Sequence, residues 1–226
     1  MTWPEVGDLP GRPVLAIPVG ATEQHGPHLP LDTDTAIAVA LTREVARRRR
    51  DLVIAPALPF GSSGEHQAFP GTLSIGQDAT RLVLIELVRS ANLTFPRVLL
   101  VVGHGGNAEP VRAAVEVLRG EGCDVAAWAP SFGGDAHAGH VETSLSLHLR
   151  PDQVRTQRAA AGTVTPLADL LPLLRVGGVR AVSANGVLGD PTGAQAQHGA
   201  TLWEAAVARL DAFISAWLHP SPDQDS

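Results

Sequence analysis

The sequence contains no lysine and no tyrosine. That excludes Schiff-base lysines, the lysine of a phosphate-binding P-loop, and tyrosine acid–base chemistry. An enzyme built from this chain works with His, Asp, Glu, Ser, Thr, Arg or a metal. There is one cysteine, Cys123, so no intrachain disulfide can form. Cys123 begins the strand-like run to Trp128, where a buried structural thiol is expected, and a reducing cytoplasm is the expected location. No charged-then-apolar signal pattern opens the chain, and no apolar run nears the roughly 20 residues that span a bilayer. Positive charge is also scarce: the net charge is −6 and the only basic run is Arg47 to Arg50. Without a broad basic face, nucleic acid is not an expected partner. The run follows an apolar helical pattern and reads as a solvated helix C-terminus.

The 226 residues, 44% of them hydrophobic, suit one domain with a sizeable core, expected over residues 1–218, with a disordered tail at 219–226. Val14 to Val19 and Arg97 to Val102 are apolar, β-branched runs and read as buried strands. Leu52 to Leu58 and Val125 to Trp128 are further strand candidates. Helical spacing marks 35–50, 78–93 (with Asp78 as its cap), 108–119, 142–149 and 201–218. The stretch 163–193 reads as loop. Strands alternating with helices imply a mostly parallel sheet between helical layers, an α/β/α sandwich. Ligands bind such sheets beyond the carboxyl ends of the strands.

Acids and histidines fall in the loops at those ends. In Glu23-Gln24-His25, the side chains two apart share one side of an extended backbone. Gly-Pro and Leu-Pro turns can fold Asp34 back toward them. Glu23, Asp32 and Asp34 would repel one another unless a cation sat among them, and mixed imidazole and carboxylate ligands suit Zn, Mn or Fe. A helix N-cap accounts for Asp32 or Asp34 equally well. Gly103-His104-Gly105-Gly106-Asn107 follows the strongest strand; its glycines let a ligand approach, or it is a turn capped by Asn107. His137, His140 and Glu142 form a third cluster, in which Glu142 can equally be a surface acid opening a helix. Glu65-His66 lies in a loop, as pocket lining or surface, and His140 and His198 are expected to face solvent.

Taken together, three stretches resemble the creatininase family: Pro18 to Leu31 with Thr33-Asp34, Gly103 to Asn107, and His137-Ala138-Gly139 with Glu142-Thr143-Ser144. The resemblance implies a parallel α/β sandwich, a homo-oligomer, and one or two divalent ions (Zn, Fe or Mn) in a hydrolase of C–N bonds. Carried over by position, it implies Glu23, His25, Asp34 and His104 as metal ligands, with Asp34 bridging if two ions bind. Glu142 completes the set and stands with His137 as a catalytic group, His137 being the acid–base or carbonyl-polarising histidine. In creatininase itself an acid stands two residues after the strand-end histidine; here that residue is Gly106, which argues against creatinine as substrate. The compact length and the stretch Asn185 to Ala194 are most similar to the peptidase branch of the family associated with mycofactocin biosynthesis. That likeness implies a modified precursor peptide as substrate, from which a C-terminal Val-Tyr dipeptide is released. A small-molecule amidohydrolase and a non-catalytic metal binder are the alternatives. An arginine near the pocket suits a peptide's terminal carboxylate, and the sequence does not single one out.

Overall fold

In the computed structural model, which describes residues 1–220, four parallel strands form one sheet: β1 (Val14–Val19), β2 (Leu52–Ile54), β3 (Arg97–Val102) and β4 (Asp124–Trp128). The spatial order is β2-β1-β3-β4. The chain leaves β1 toward one edge and returns on the other side of it. The connections therefore diverge between β1 and β3, and a crevice opens at their carboxyl ends.

Burial on both faces follows from period-two alternation in strands that are apolar throughout. Val14, Ala16, Leu99 and Val101 face one core, with helices α2 (Thr33–Arg48), α5 (His140–Leu149) and α7 (Ala196–Leu218). Ile17, Val19, Val98, Leu100 and Val102 face the other, with α3 (Gly76–Ala91) and α4 (Ala108–Gly120). The expected α/β/α layering is what the structure has. A short helix, α1 (Trp3–Gly7), precedes the sheet, and α6 (Leu167–Gly177) lies within the stretch expected to be loop.

Several boundaries differ from expectation for identifiable reasons. The second strand stops at Ile54; beyond it Pro56 and Pro59 lack N–H groups, although Ala55 and Leu58 still donate to β1 at 2.9 Å. Asp78 does not cap α3: the helix begins at Gly76, and Asp78 sits in its first turn as a dipole-favoured acid. Asn107 is no side-chain cap either, because its amide is committed elsewhere. The helices expected from Glu142 and Thr201 begin earlier, at His140 and Ala196. Of the arginine run, Arg47 and Arg48 end α2 as expected, whereas Arg49 is largely buried and bonds Asp51, Asp211 and Ser215. Of the tail expected to be disordered, 221–226 lie outside the described residues, and His219 closes α7 by donating to Ser215.

Helix α7 fixes α5 from behind. Gly199 packs so closely on the Ser144 carbonyl that a Cβ there would lie 2.0 Å from its oxygen. Ser144 Oγ in turn accepts the Gln195 N–H at 3.1 Å.

Candidate metal centre

Glu23, His25, Asp34, His104 and His137 are all buried at the carboxyl ends of β1 and β3. Glu23 and His25 come from the loop after β1, Asp34 from the first turn of α2, and His104 is the second residue after β3. Gly103 makes this convergence possible: a Cβ there would lie 2.4 Å from the Asp34 carbonyl oxygen.

Each histidine has one nitrogen occupied by a carbonyl. The partners assign the tautomers. His25 donates from Nδ1 to the Glu23 carbonyl at 3.1 Å, His104 from Nε2 to the Ser62 carbonyl at 2.9 Å, and His137 from Nε2 to the Gln24 carbonyl at 2.8 Å. A metal-ligating imidazole is held in this way, its far nitrogen tied and its near one left bare. The bare nitrogens of His25 and His104 face one carboxylate: His25 Nε2 is 3.1 Å from Asp34 Oδ1, and His104 Nδ1 is 3.2 Å from Asp34 Oδ2.

The acids lack donors. Both Glu23 oxygens and Asp34 Oδ2 are buried with no hydrogen bond. Glu23 Oε2 lies 3.2 Å from His104 Nε2, whose proton is directed at Ser62. Uncompensated buried carboxylates are costly, so groups of this kind are paired or hold a cation. Among the described residues, no basic side chain other than histidine contacts these acids. The donor set, two carboxylates with bare imidazole nitrogens between them, fits one or two divalent ions. Among the described residues, three groupings have their ligand atoms within 4.8 Å of one another: Glu23, Asp34 and His104; His25, His137 and Glu142; and Glu23, His66 and His137.

The protonation pattern reflects the same crowding. Burial, then Asp34, raises the Glu23 carboxyl to about 8. Burial would lower His25, but Asp34, Glu142 and Glu23 raise it to about 10. His104 rises against burial to about 9, through Asp34 and Glu23. For Asp34 the burial effect is overcome by His25 and His104, which hold its carboxyl well below the carboxylate range. Burial and the neighbouring His25 and His66 press His137 well down. Without a metal, protons on His25 and His104 supply the missing cation.

Glu142 is more open, its side chain 23% exposed and its Oε2 3.9 Å from His25 Nε2. It accepts the Ala138 N–H at 2.5 Å, and burial raises its carboxyl. Ala138 has φ +53°, a conformation rare outside glycine, immediately after His137. A cavity of about 960 Å³ reaches these residues, lined by Glu23, His104, His137 and Glu142 on one side and by α6 on the other.

The sequence model of the creatininase family, described as creatinine amidohydrolase, matches residues 1–214. The chain belongs to the creatininase family. It is 52% identical over 221 residues to a mycofactocin precursor peptide peptidase of Mycobacterium ulcerans (strain Agy99), covering 93% of this chain and 88% of that one. Solved creatininases share the fold: a Zn–Zn-type variant has a TM-score of 0.82 at 27% identity, covering 98% of this chain and 97% of its own. A manganese form has a TM-score of 0.82 at 26% identity, with the same coverage. As a creatininase-family protein, the chain is a hydrolase of amide bonds. No helix among the described residues is long and apolar enough to cross a membrane.

The creatininase-like motifs thus gather Glu23, His25, Asp34, His104 and His137 into one cluster, with Glu142 at its rim. Asp32 is outside it, paired with Arg150 at 3.0 Å. His140 is half-buried, not solvent-facing, and contacts the exposed His198 at 2.9 Å. Sequence reasoning did not select His66, which is buried with Nε2 3.4 Å from Glu23 Oε1. It also passed over Gln24, whose amide donates to His66 Nδ1 at 2.8 Å and to the Gly186 carbonyl at 3.0 Å. The only signal for His66 was its position after the second strand.

Gly106 has its own reason. A Cβ there would lie 2.4 Å from both His104 Nε2 and the Ser62 carbonyl oxygen. An acid at this position is incompatible with the way His104 is tied.

Proposed function

We propose that this chain is the metal-dependent peptidase that releases the C-terminal Val-Tyr dipeptide from the modified mycofactocin precursor peptide. The observation that carries the reading is the 52% identity to the Mycobacterium ulcerans peptidase across 93% of the chain. The cavity of about 960 Å³ supports it, since that space exceeds what a small cyclic amide requires and suits several peptide residues.

In this reading Glu23, His25, Asp34, His104 and Glu142 would hold one or two divalent ions, zinc, iron or manganese. Lewis acidity toward the amide carbonyl and toward water is the chemistry such an ion supplies when bound. The protein moves the proton. His137, fixed by the Gln24 carbonyl, presents bare Nδ1 to the cavity side of Glu23, 3.7 Å from Oε1. Nδ1 takes the proton released as water oxygen bonds to the carbonyl carbon. It returns that proton to the nitrogen as the C–N bond breaks. Its low proton affinity keeps it neutral at rest and makes it a ready donor to the leaving amine. Glu142 lies on the opposite side of His25 and completes the ligand set at the rim. The reading extends to a homo-oligomer in the cytoplasm, both as the family likeness suggests.

The test is metal-loaded protein with modified precursor peptide, followed by mass spectrometry. Loss of the terminal dipeptide is expected. An intact precursor alongside hydrolysed creatinine defeats the reading and returns the protein to small-molecule chemistry.

A further inference from the structure

His66 is held the opposite way round from the other histidines of the cluster. His25, His104 and His137 each give a proton to a carbonyl and turn a bare nitrogen inward. His66 instead receives one: its Nδ1 lies 2.8 Å from the amide nitrogen of Gln24. The backbone decides which end of that amide is which. Gly26 N–H donates to Gln24 Oε1 at 2.8 Å, and the Gly186 carbonyl accepts from Nε2 at 3.0 Å. Turning the amide over would set N–H against N–H and oxygen against oxygen. Gly186, at φ +82°, presses on the same group: a Cβ there would lie 2.0 Å from Gln24 Oε1. Gln24 therefore has no freedom to offer His66 an oxygen.

An imidazole whose Nδ1 accepts carries its proton on Nε2. That nitrogen has no hydrogen bond among the described residues. Glu23 Oε1 stands 3.4 Å away, itself without a donor, and Glu65 Oε1 stands at 4.0 Å. His66 lines the cavity, and its ring centroid is 4.3 Å from that of His137. A ligating nitrogen must be bare, so Glu23, His66 and His137 do not make a further place for a metal, close as their atoms are. They set a spare N–H beside the histidine that moves the proton.

We propose that His66 is a catalytic residue, donating from Nε2–H to the oxygen of the scissile amide, and that Gln24 is the positioning residue that keeps the proton on that nitrogen. The inference rests on the peptidase reading for its substrate, while the donor serves any amide hydrolysed in this cavity. As water oxygen bonds to the carbonyl carbon, the carbonyl electron pair moves onto its oxygen. His66 hydrogen-bonds that oxygen and keeps its own proton. When the pair returns, the C–N bond breaks and His137 delivers its proton to the nitrogen. The two neighbouring imidazoles divide the work: the one tied by a carbonyl transfers the proton, and the one tied by an amide N–H holds the charge.

The test uses zinc-loaded protein with the modified precursor, inorganic phosphate as a tetrahedral oxyanion, and nitrogen-15 NMR of the histidine rings. In the wild type the His66 ring, assigned by its loss in His66→Gln, should carry its proton on Nε2. Gln24→Glu, which replaces the amide donor by an acceptor, should move that proton to Nδ1. His66→Ala is expected to lose on the order of 100-fold in kcat with KM and zinc content unchanged, and to bind phosphate about fivefold more weakly. His66→Gln still offers an N–H and should recover most of both. A wild-type proton on Nδ1, or full kcat in His66→Ala, overturns the proposal. So does loss of a zinc ion in His66→Ala, which would make His66 a ligand. An intact precursor with phosphate binding that still depends on His66 defeats the peptidase reading and leaves the donor in place.

Discussion

His104 Nδ1 lies 3.2 Å from Asp34 Oδ2, with its other nitrogen tied to the Ser62 carbonyl. Two lone pairs face each other there unless a cation stands between them. His25 meets the other oxygen of the same carboxylate in the same way. Asp34→Asn keeps the shape and removes the charge. The expected outcome is a folded protein that loses at least half its bound metal and more than 100-fold in turnover. Elemental analysis with circular dichroism and a rate assay checks it, and full turnover in this variant rules out the assigned metal site.

Metal binding should release protons at neutral pH. His25 and His104, raised to about 10 and 9, are protonated in the metal-free protein and cannot be so as ligands. Calorimetry in buffers of different ionisation enthalpy reads the count, expected to be at least two and to approach three per fully loaded site at pH 7.5, because Glu23, raised to about 8, also gives up its proton. No buffer dependence contradicts protonation of His25 and His104 in the metal-free protein.

The same shifts set an alkaline stability profile for metal-stripped protein. Both histidines have folded values above the ordinary 6.5, so their contribution is complete below that pH and is lost as pH rises through about 9 and 10. Glu23, raised to about 8, acts in the same direction from its ordinary 4.5 upward. The melting temperature of stripped protein is therefore expected to fall between pH 7 and 10. With no lysine or tyrosine in the chain, few other groups titrate in that window. A flat profile there removes the proton-for-metal exchange.

Asn107 is fully buried, accepting the Ser62 N–H and donating to the Gly20 carbonyl, both at 2.9 Å. It joins the loop after β1 to the loop whose Ser62 carbonyl holds His104. Asn107→Ala leaves two buried backbone groups unpaired, with an expected loss of about 2–4 kcal/mol by denaturant titration. Metal affinity should fall with it, although Asn107 is no ligand.

Arg49 ties the end of α2 to Asp211 and Ser215 on α7 and to Asp51 before β2. Its acidic partners are partly exposed, which screens the pairs, so Arg49→Ala is expected to cost about 1 kcal/mol with turnover unchanged. A loss of activity at constant metal content would point to an unrecognised link between that corner and the site.

What was legible follows from how locally each feature is encoded. The runs at β1 and β3 are continuous and β-branched, so periodicity and length alone placed them. The motifs around Glu23, His104 and His137 lie at strand ends, where the parallel topology brings them together. His66 was obscure because its burial is decided by Gln24, 42 positions away, and nothing in Gly64-Glu65-His66 itself distinguishes pocket from surface. Helix α6 was hidden by Pro166, Pro172 and the Gly177-Gly178 pair, which read as turn residues. Its leucines stabilise a helix through Leu170, which packs with Phe69, Val179 and Leu188, a tertiary effect that local propensity does not carry.

The contact of Gly199 with the Ser144 carbonyl gives the back of the molecule a say in its chemistry. Ser144 is two residues from Glu142, so a methyl group at 199 displaces the very turn that carries the rim acid. A mutational map scored by turnover alone would mark the inert C-terminal helix as part of the active site. Scored beside metal content, it would separate residues that perform the reaction from those that merely set the tolerance to which it is built.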